Sequence, residues 1–217
     1  MLDWQQIDTV LLDMDGTLLD LHYDNHFWLT HLPRRYAETH GVSLAQAQVQ
    51  LLDEIEARRG TLEWYCLSFW SRRLKLDIVG ILREIEDRIA LRPQARPFLQ
   101  RLNALDKRLM LVTNAHRDGL EQKLEITGIH RWMHDIISSH DLGHAKESLE
   151  FWNALRERIH FDPDRTLFVD DNQEVLAAAR AYGIAHLLCI RQPDSRGPLR
   201  DITEFPAIHH FDEILAL

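Results

Sequence analysis

The sequence predicts an α/β protein in which one parallel sheet is interrupted by an all-helical insert. Three observations predict it. From residue 97 onward, short apolar runs alternate with helical patterns, the order that builds parallel sheets. Residues 22–92 hold no convincing strand pattern. The apolar run at residues 10–12 ends in Asp13 and Asp15, at i and i+2, the spacing at which side chains leave a strand on one side.

Residues 10–12 (VLL) read as the first strand. Within the insert, Leu44, Ala47, Leu51 and Ile55 share a helix face, residues 62–70 (LEWYCLSFW) are rich in aromatics, and residues 78–89 keep a helical pattern. Beyond it, Phe98, Leu102 and Leu105 mark a helix and residues 108–113 (RLMLVT) a buried strand. Leu120, Leu124 and Thr127 mark a helix stopped by Gly128. Residues 135–139 (DIISS) read as a strand. Leu149, Trp152, Leu155 and Ile159 read as a helix closed by the Asp162-Pro163-Asp164 turn. Residues 166–169 (TLFV) form a strand running into Asp170-Asp171. Val175, Ala179 and Tyr182 mark a helix with Gly183 as C-cap, and residues 185–190 (AHLLCI) the last clear strand. The expected division is a core of residues 1–20 and 93–217 around an insert at residues 21–92. An insert leaving at the carboxyl end of a parallel strand lies over the site as a lid.

With 217 residues the chain can bury one sizeable core plus a smaller insert. It is 45% hydrophobic and 27% charged, an ordinary soluble balance. A formal net charge of −9 argues against nucleic acid or an anionic membrane as partner, though not against a small anionic substrate. No apolar run approaches the ~18 residues of a membrane span, and the first residues lack the pattern of a signal peptide. Cys66 and Cys189 stand in no metal or redox spacing, as expected of buried thiols in a reducing cytoplasm. A cytoplasmic monomer or small homo-oligomer is the expectation.

Four strand ends carry chemistry: Asp13 and Asp15, then Thr113 and Asn114, then Lys146 after a loop, then Asp170 and Asp171. One parallel sheet brings all four to the same edge. Paired carboxylates there are costly unless a cation or proton sits between them. Carboxylates from two strands suit a hard dication. A hydroxyl, backbone N–H groups and a lysine suit an anion beside it. That set fits phosphoryl transfer, with an aspartate as nucleophile.

These four motifs resemble those of the haloacid dehalogenase superfamily. The resemblance spans the whole chain, and the insert is similar to the superfamily's C1-type cap. It implies a Rossmann-like core and a magnesium-dependent aspartyl-phosphate mechanism. It makes Asp13 the nucleophile and Asp15 the general acid and base, with the Asp15 main-chain carbonyl on the metal. Thr113 and Lys146 bind the transferring phosphoryl group, with Asn114 beside them. Asp171 holds magnesium directly and Asp170 acts through water. A narrower resemblance, to bacterial 5′-nucleotidases of this superfamily acting on GMP and IMP, rests on residues 10–21, 24–28, 62–70, 113–116 and 192–195. It implies a purine nucleoside monophosphate as substrate. Trp28, Trp64, Tyr65 and Trp70 are then candidates to stack on the base, and His116 a candidate substrate contact.

Rival readings remain open at this stage. A phosphatase or phosphomutase acting on a sugar phosphate shares the motifs. A dehalogenase needs no acid at Asp15, and a phosphonatase needs an amine from the insert, which offers only Lys75. A receiver domain places its acidic pair first and its phosphorylated aspartate later, unlike this order. Thirteen histidines include His22/His26, His130/His134 and His140/His144 at i, i+4, without a third ligand to make a zinc site. The pairs Arg34-Arg35, Arg58-Arg59 and Arg72-Arg73 read as solvated faces, one of which can reach a substrate oxygen.

Overall fold

The computed structural model describes residues 2–214; Met1 and residues 215–217, the extreme ends of the expected core, lie outside the described residues. The chain opens with β1 (Thr9–Leu12) and then turns helical: α1 (His22–His26), a π-helical turn at Phe27–His31, α2 (Leu32–His40), α3 (Leu44–Glu56), α4 (Leu62–Tyr65), α5 (Leu67–Leu74) and α6 (Ile78–Arg83). After it come α7 (Ala95–Ala104), β2 (Arg108–Thr113), α8 (Arg117–Thr127), β3 (Asp135–Ser138), α9 (Ser139–Leu142), α10 (Leu149–Arg158), β4 (Thr166–Asp170), α11 (Gln173–Tyr182), β5 (His186–Ile190) and β6 (Ala207–Ile208).

All six strands pair in parallel, in the order β3-β2-β1-β4-β5-β6. The order reverses between β1 and β4, and open parallel sheets bind ligands at the carboxyl ends beside such a reversal. Both faces of the sheet are covered, so its strands read as apolar runs. Leu11, Met110 and Phe168 lie side by side and pack toward α10 and α11. Leu12, Leu111 and Val169 form the opposite row and pack toward α7 and α8. Each such side chain contributes roughly 1.5–3 kcal/mol on leaving water. A slip of one residue would exchange the two rows, so the strand ends are held in register.

The helical segment joins the sheet through a narrow neck. Leu19 and Leu91 form an antiparallel bridge, Asp20 N–H donates to Ala90 O (2.9 Å), and Arg92 N–H donates to Leu18 O (2.9 Å). The Arg92 guanidinium, buried at 5% exposure, donates to the Gln192 and His209 carbonyls. Asn25 on α1 donates to Asp194 at 2.7 Å. Two sequence segments far apart, residues 24–28 and 192–195, therefore meet.

Four expectations shift locally. Leu44 and Leu149 are exposed at 41% and 47%, not buried on their helix faces. Each is the first residue after a serine N-cap, so its side chain projects off the helix end; Phe151 takes the inward place beside Trp152 and Leu155. Strand β3 stops at Ser138 because the Ser138 hydroxyl accepts from His140 N–H and caps α9. A sixth strand, β6, follows the one read as last; at two residues it is too short for periodicity to show. Cys189 is buried, but Cys66 is only half-buried, its sulfur accepting from Phe69 N–H at the start of α5. Among the described residues no helix is long and apolar enough to cross a membrane.

Candidate active site

Strands β1 and β4 deliver three carboxylates to one point. Asp13 follows β1, is 6% exposed, and donates its N–H to Val169 O at 3.0 Å. Asp170 ends β4 at 1% exposure, and Asp171 follows it. Asp13, Asp170 and Asp171 each offer one oxygen, and these lie within 4.8 Å of one another. Gly16 makes the approach possible. Its φ is +85°, and a Cβ there would stand 2.7 Å from Asp171 Cγ. Any side chain would drive the carboxylate out.

Lys146 is fully enclosed beside this group. Its Nζ donates to Asp13 Oδ1 (2.6 Å), Asp170 Oδ2 (2.7 Å) and Val112 O (3.2 Å). An ammonium carries three N–H bonds, so all are spent. The loop bearing Lys146 is held from both sides. Lys146 N–H donates to Asn114 Oδ1 (3.0 Å), and Trp152 Nε1–H donates to Lys146 O (2.9 Å). Asn114 Nδ2 also donates to Glu147 Oε2 (3.0 Å), and the Tyr65 hydroxyl reaches Glu147 Oε1 from the insert at 2.5 Å. The Asn114 amide thus builds the loop that carries Lys146. The Thr113 hydroxyl accepts from Ala115 N–H at 3.1 Å and lines the same cavity.

Asp15 faces elsewhere. Its carboxylate meets Lys123 Nζ at 2.7 Å, and the same ammonium donates to Asp24 of α1 at 2.7 Å. Lys123 is 5% exposed and lies 5.3 Å from the Tyr23 ring centre. Sequence reasoning passed over it. The signal was there: a lysine on the buried face of α8, between Leu120 and Thr127. Arg200 was missed too, and nothing in its neighbourhood announces it. Its Nη2 donates to Asp171 O and Ile190 O, both at 2.7 Å.

His116 follows Thr113 and Asn114 as expected and lines the cavity. Its Nδ1 accepts from Asp118 N–H at the start of α8, while Nε2 lies 3.0 Å from Ser68 Oγ in the insert. It therefore ties the two sides of the cavity together. Of the candidate aromatics, Trp28, Trp64 and Tyr65 line the cavity; Trp70 is buried, edge-on to Trp28. Among the described residues, no histidine joins a group of three potential ligands.

The residues present fit a divalent cation. All three groups offer carboxylate oxygens, the type a hard dication takes. One ammonium in direct contact leaves negative charge over. Burial pushes the Asp171 carboxyl up to about 7, Asp170 adding to the shift and Arg200 opposing it. Burial also raises Asp13, against the pull of Lys146. Charges crowded this way relax when a cation arrives. The cavity they face holds about 870 Å³ and lies between the sheet edge and the helical segment, within the ~300–1,000 Å³ usual for small-molecule sites.

Comparison with known proteins agrees with this geometry. A family model described as haloacid dehalogenase-like hydrolase matches residues 7–183. The GMP/IMP nucleotidase YrfG of Escherichia coli strain K12 is 38% identical over 212 residues, covering 98% of this chain and 96% of that protein. The pyrophosphatase PpaX of Oceanobacillus iheyensis is 25% identical, covering 81% of this chain and 80% of its own. Among solved structures, a HAD phosphatase from Thermococcus onnurineus superposes with a TM-score of 0.79 at 23% identity, covering 96% of each chain. The L-2-haloacid dehalogenase of Xanthobacter autotrophicus shares the fold, with a TM-score of 0.60 at 15% identity over 96% of this chain and 97% of its own. With its acidic strand ends in place and a family match over most of its length, the chain belongs to the haloacid dehalogenase-like hydrolases.

Proposed function

We propose that this hydrolase is a phosphatase that releases phosphate from the purine nucleoside 5′-monophosphates GMP and IMP through an aspartyl-phosphate on Asp13. The observation that carries the phosphoryl chemistry is the buried Asp13–Lys146–Asp170 bridge facing a cavity large enough for a nucleotide. The nucleotidase relative, alike over nearly the whole chain, supports the substrate class.

Lys146 engages Asp13 Oδ1 and leaves Oδ2 as the attacking oxygen. In this reading the attack forms the Asp13–phosphoryl bond and breaks the bond to the nucleoside 5′-oxygen. Asp15 gives that oxygen its proton. Asp15 then takes a proton from the water that cleaves the acyl phosphate, and Asp13 is restored. Thr113 holds the phosphoryl oxygens together with Lys146, whose ammonium gives up its longest bond, to Val112 O at 3.2 Å, to do so. A magnesium ion held by Asp13, Asp171 and the Asp15 carbonyl, with Asp170 acting through water, would offset repulsion between phosphate and carboxylate. Residues 21–92 act as the cap that admits the substrate, over a core of residues 1–20 and 93–217.

The test is phosphate release by purified protein from GMP, IMP, AMP and sugar phosphates, with magnesium and with a chelator. Release from GMP and IMP that the chelator abolishes is expected. No release from any ester would end the phosphatase reading. A hexose phosphate as best substrate would end the purine reading alone.

A further inference from the structure

The helical wall of the cavity carries one paired donor and acceptor. Glu56 ends α3, and Arg59 follows three residues later in the turn toward α4. Arg59 Nε donates to Glu56 Oε2 at 3.0 Å, and Arg59 Nη2 to Oε1 at 2.9 Å. Both residues line the cavity that holds Asp13. Both are about half exposed, at 57% and 47%. An ion pair so exposed contributes little to stability. Stability therefore does not explain its place on this wall. The Arg59 guanidinium lies 5.6 Å from the Trp64 ring centre, which restrains its plane.

The surroundings are apolar. Leu29 and Leu52 line the same wall and are 57% and 50% exposed, among the large hydrophobic side chains the fold leaves uncovered. Trp28 and Ile55 line the same cavity. A flat apolar ring with a polar edge would cover these side chains and meet the charged pair.

We propose that Glu56 and Arg59 form a base-reading subsite that selects 6-oxopurines. This rests on the nucleotidase reading above and deepens it. A guanidinium only donates and a carboxylate only accepts. The 6-oxopurine edge presents O6, an acceptor, next to N1–H, a donor. Arg59 donates to O6 while Glu56 accepts from N1–H, and guanine adds N2–H as a second donor to the carboxylate. Adenine reverses both positions: its N6–H₂ meets the donor and its bare N1 meets the acceptor. Gln48, also on this wall, donates and accepts and so cannot discriminate. Specificity here comes from the unpaired groups that the wrong base leaves behind.

The test measures kcat/KM for GMP, IMP and AMP, each divided by the value for ribose 5-phosphate, which has no base. Variants are Glu56→Gln, Arg59→Ala and Arg59→Lys. The control is Arg73→Ala, which breaks the exposed Arg73–Glu54 pair away from the cavity. The GMP-to-AMP ratio is expected to fall at least about tenfold in all three subsite variants and to hold in the control. A wild-type protein with no preference for GMP and IMP over AMP would overturn the GMP and IMP selectivity of the nucleotidase reading itself. A wild-type preference that survives all three variants, or that Arg73→Ala abolishes equally, would overturn the subsite and leave that reading standing.

Discussion

Lys146 and Arg59 are both cations on the same cavity, built in opposite ways. Lys146 is 2% exposed and its ammonium spends every hydrogen on core acceptors. Arg59 is more than half exposed and meets a single carboxylate. Around Lys146 the sheet packs charges at a cost that only chemistry explains, since buried ion pairs seldom stabilise more than apolar residues of equal volume. Around Arg59 the helical wall spends little: the pair is solvated and the leucines beside it are uncovered. On the proposed reading, the sheet edge is fixed before substrate arrives and the facing wall is completed by it.

That contrast can be broken from either side. Replacing Asp13 by Asn removes the proposed nucleophile from the fixed edge; turnover should fall on the order of 10³-fold or more. The melting temperature should hold or rise, because one of three crowded carboxylates loses its charge. Activity within tenfold of wild type would remove Asp13 from its role.

Lys123 belongs to both regions, joining Asp15 of the core to Asp24 of the helical segment. Lys123→Met should lower kcat about 10²-fold, as when a general acid loses its place. It should also cost about 1–3 kcal/mol in denaturant unfolding, by leaving two partly buried carboxylates unpaired. Asp24→Asn added to it should recover stability without recovering rate. An activated ester such as p-nitrophenyl phosphate, which needs less help from an acid, should lose less.

Tyr65→Phe cuts the bond to Glu147 and tests whether the wall steadies the edge. The loss should be about 1.5–3 kcal/mol of stability and a severalfold rise in KM, read from thermal unfolding and steady-state kinetics. An unchanged KM would make the Tyr65–Glu147 contact a packing detail.

The smallest effect is expected at the seam. The His140 ring lies against His116, with centres 5.0 Å apart. Burial, with His116 adding to it, pushes His140 down to about 4 from 6.5. The unfolded chain then binds the proton first as pH falls, so stability contributed by His140 is present above 6.5 and lost toward 4. Melting temperatures from pH 7 to 4.5 should fall less steeply in His140→Gln than in wild type. Parallel slopes would show the ring to be free of that constraint.

The core was legible because its signals are local. Strand β2 spans the residues its apolar run predicts, and Asp13, Asp15, Asp170 and Asp171 announce themselves by adjacency to buried runs. Lys146 was legible only through its order after β3, for nothing in its neighbours marks it. Leu44 and Leu149 misled because periodicity does not register where a serine cap ends the packed face. Arg200 acquires its partners through contacts 10 and 29 residues away, which no local pattern encodes. On the facing wall, neither sequence nor periodicity separates a cavity-lining aromatic from a core one: Trp64 and Trp70 belong to the same aromatic run, yet one lines the cavity and the other is buried.

The neck at Leu19 and Leu91 works as a plug. The chain leaves and returns through adjacent backbone bridged by hydrogen bonds from Asp20 and Arg92. Everything between those two points is therefore topologically one loop, and the sheet registers are indifferent to its length. A lineage could exchange this plug for another, keep Asp13 and its partners untouched, and inherit the same reaction for a different molecule.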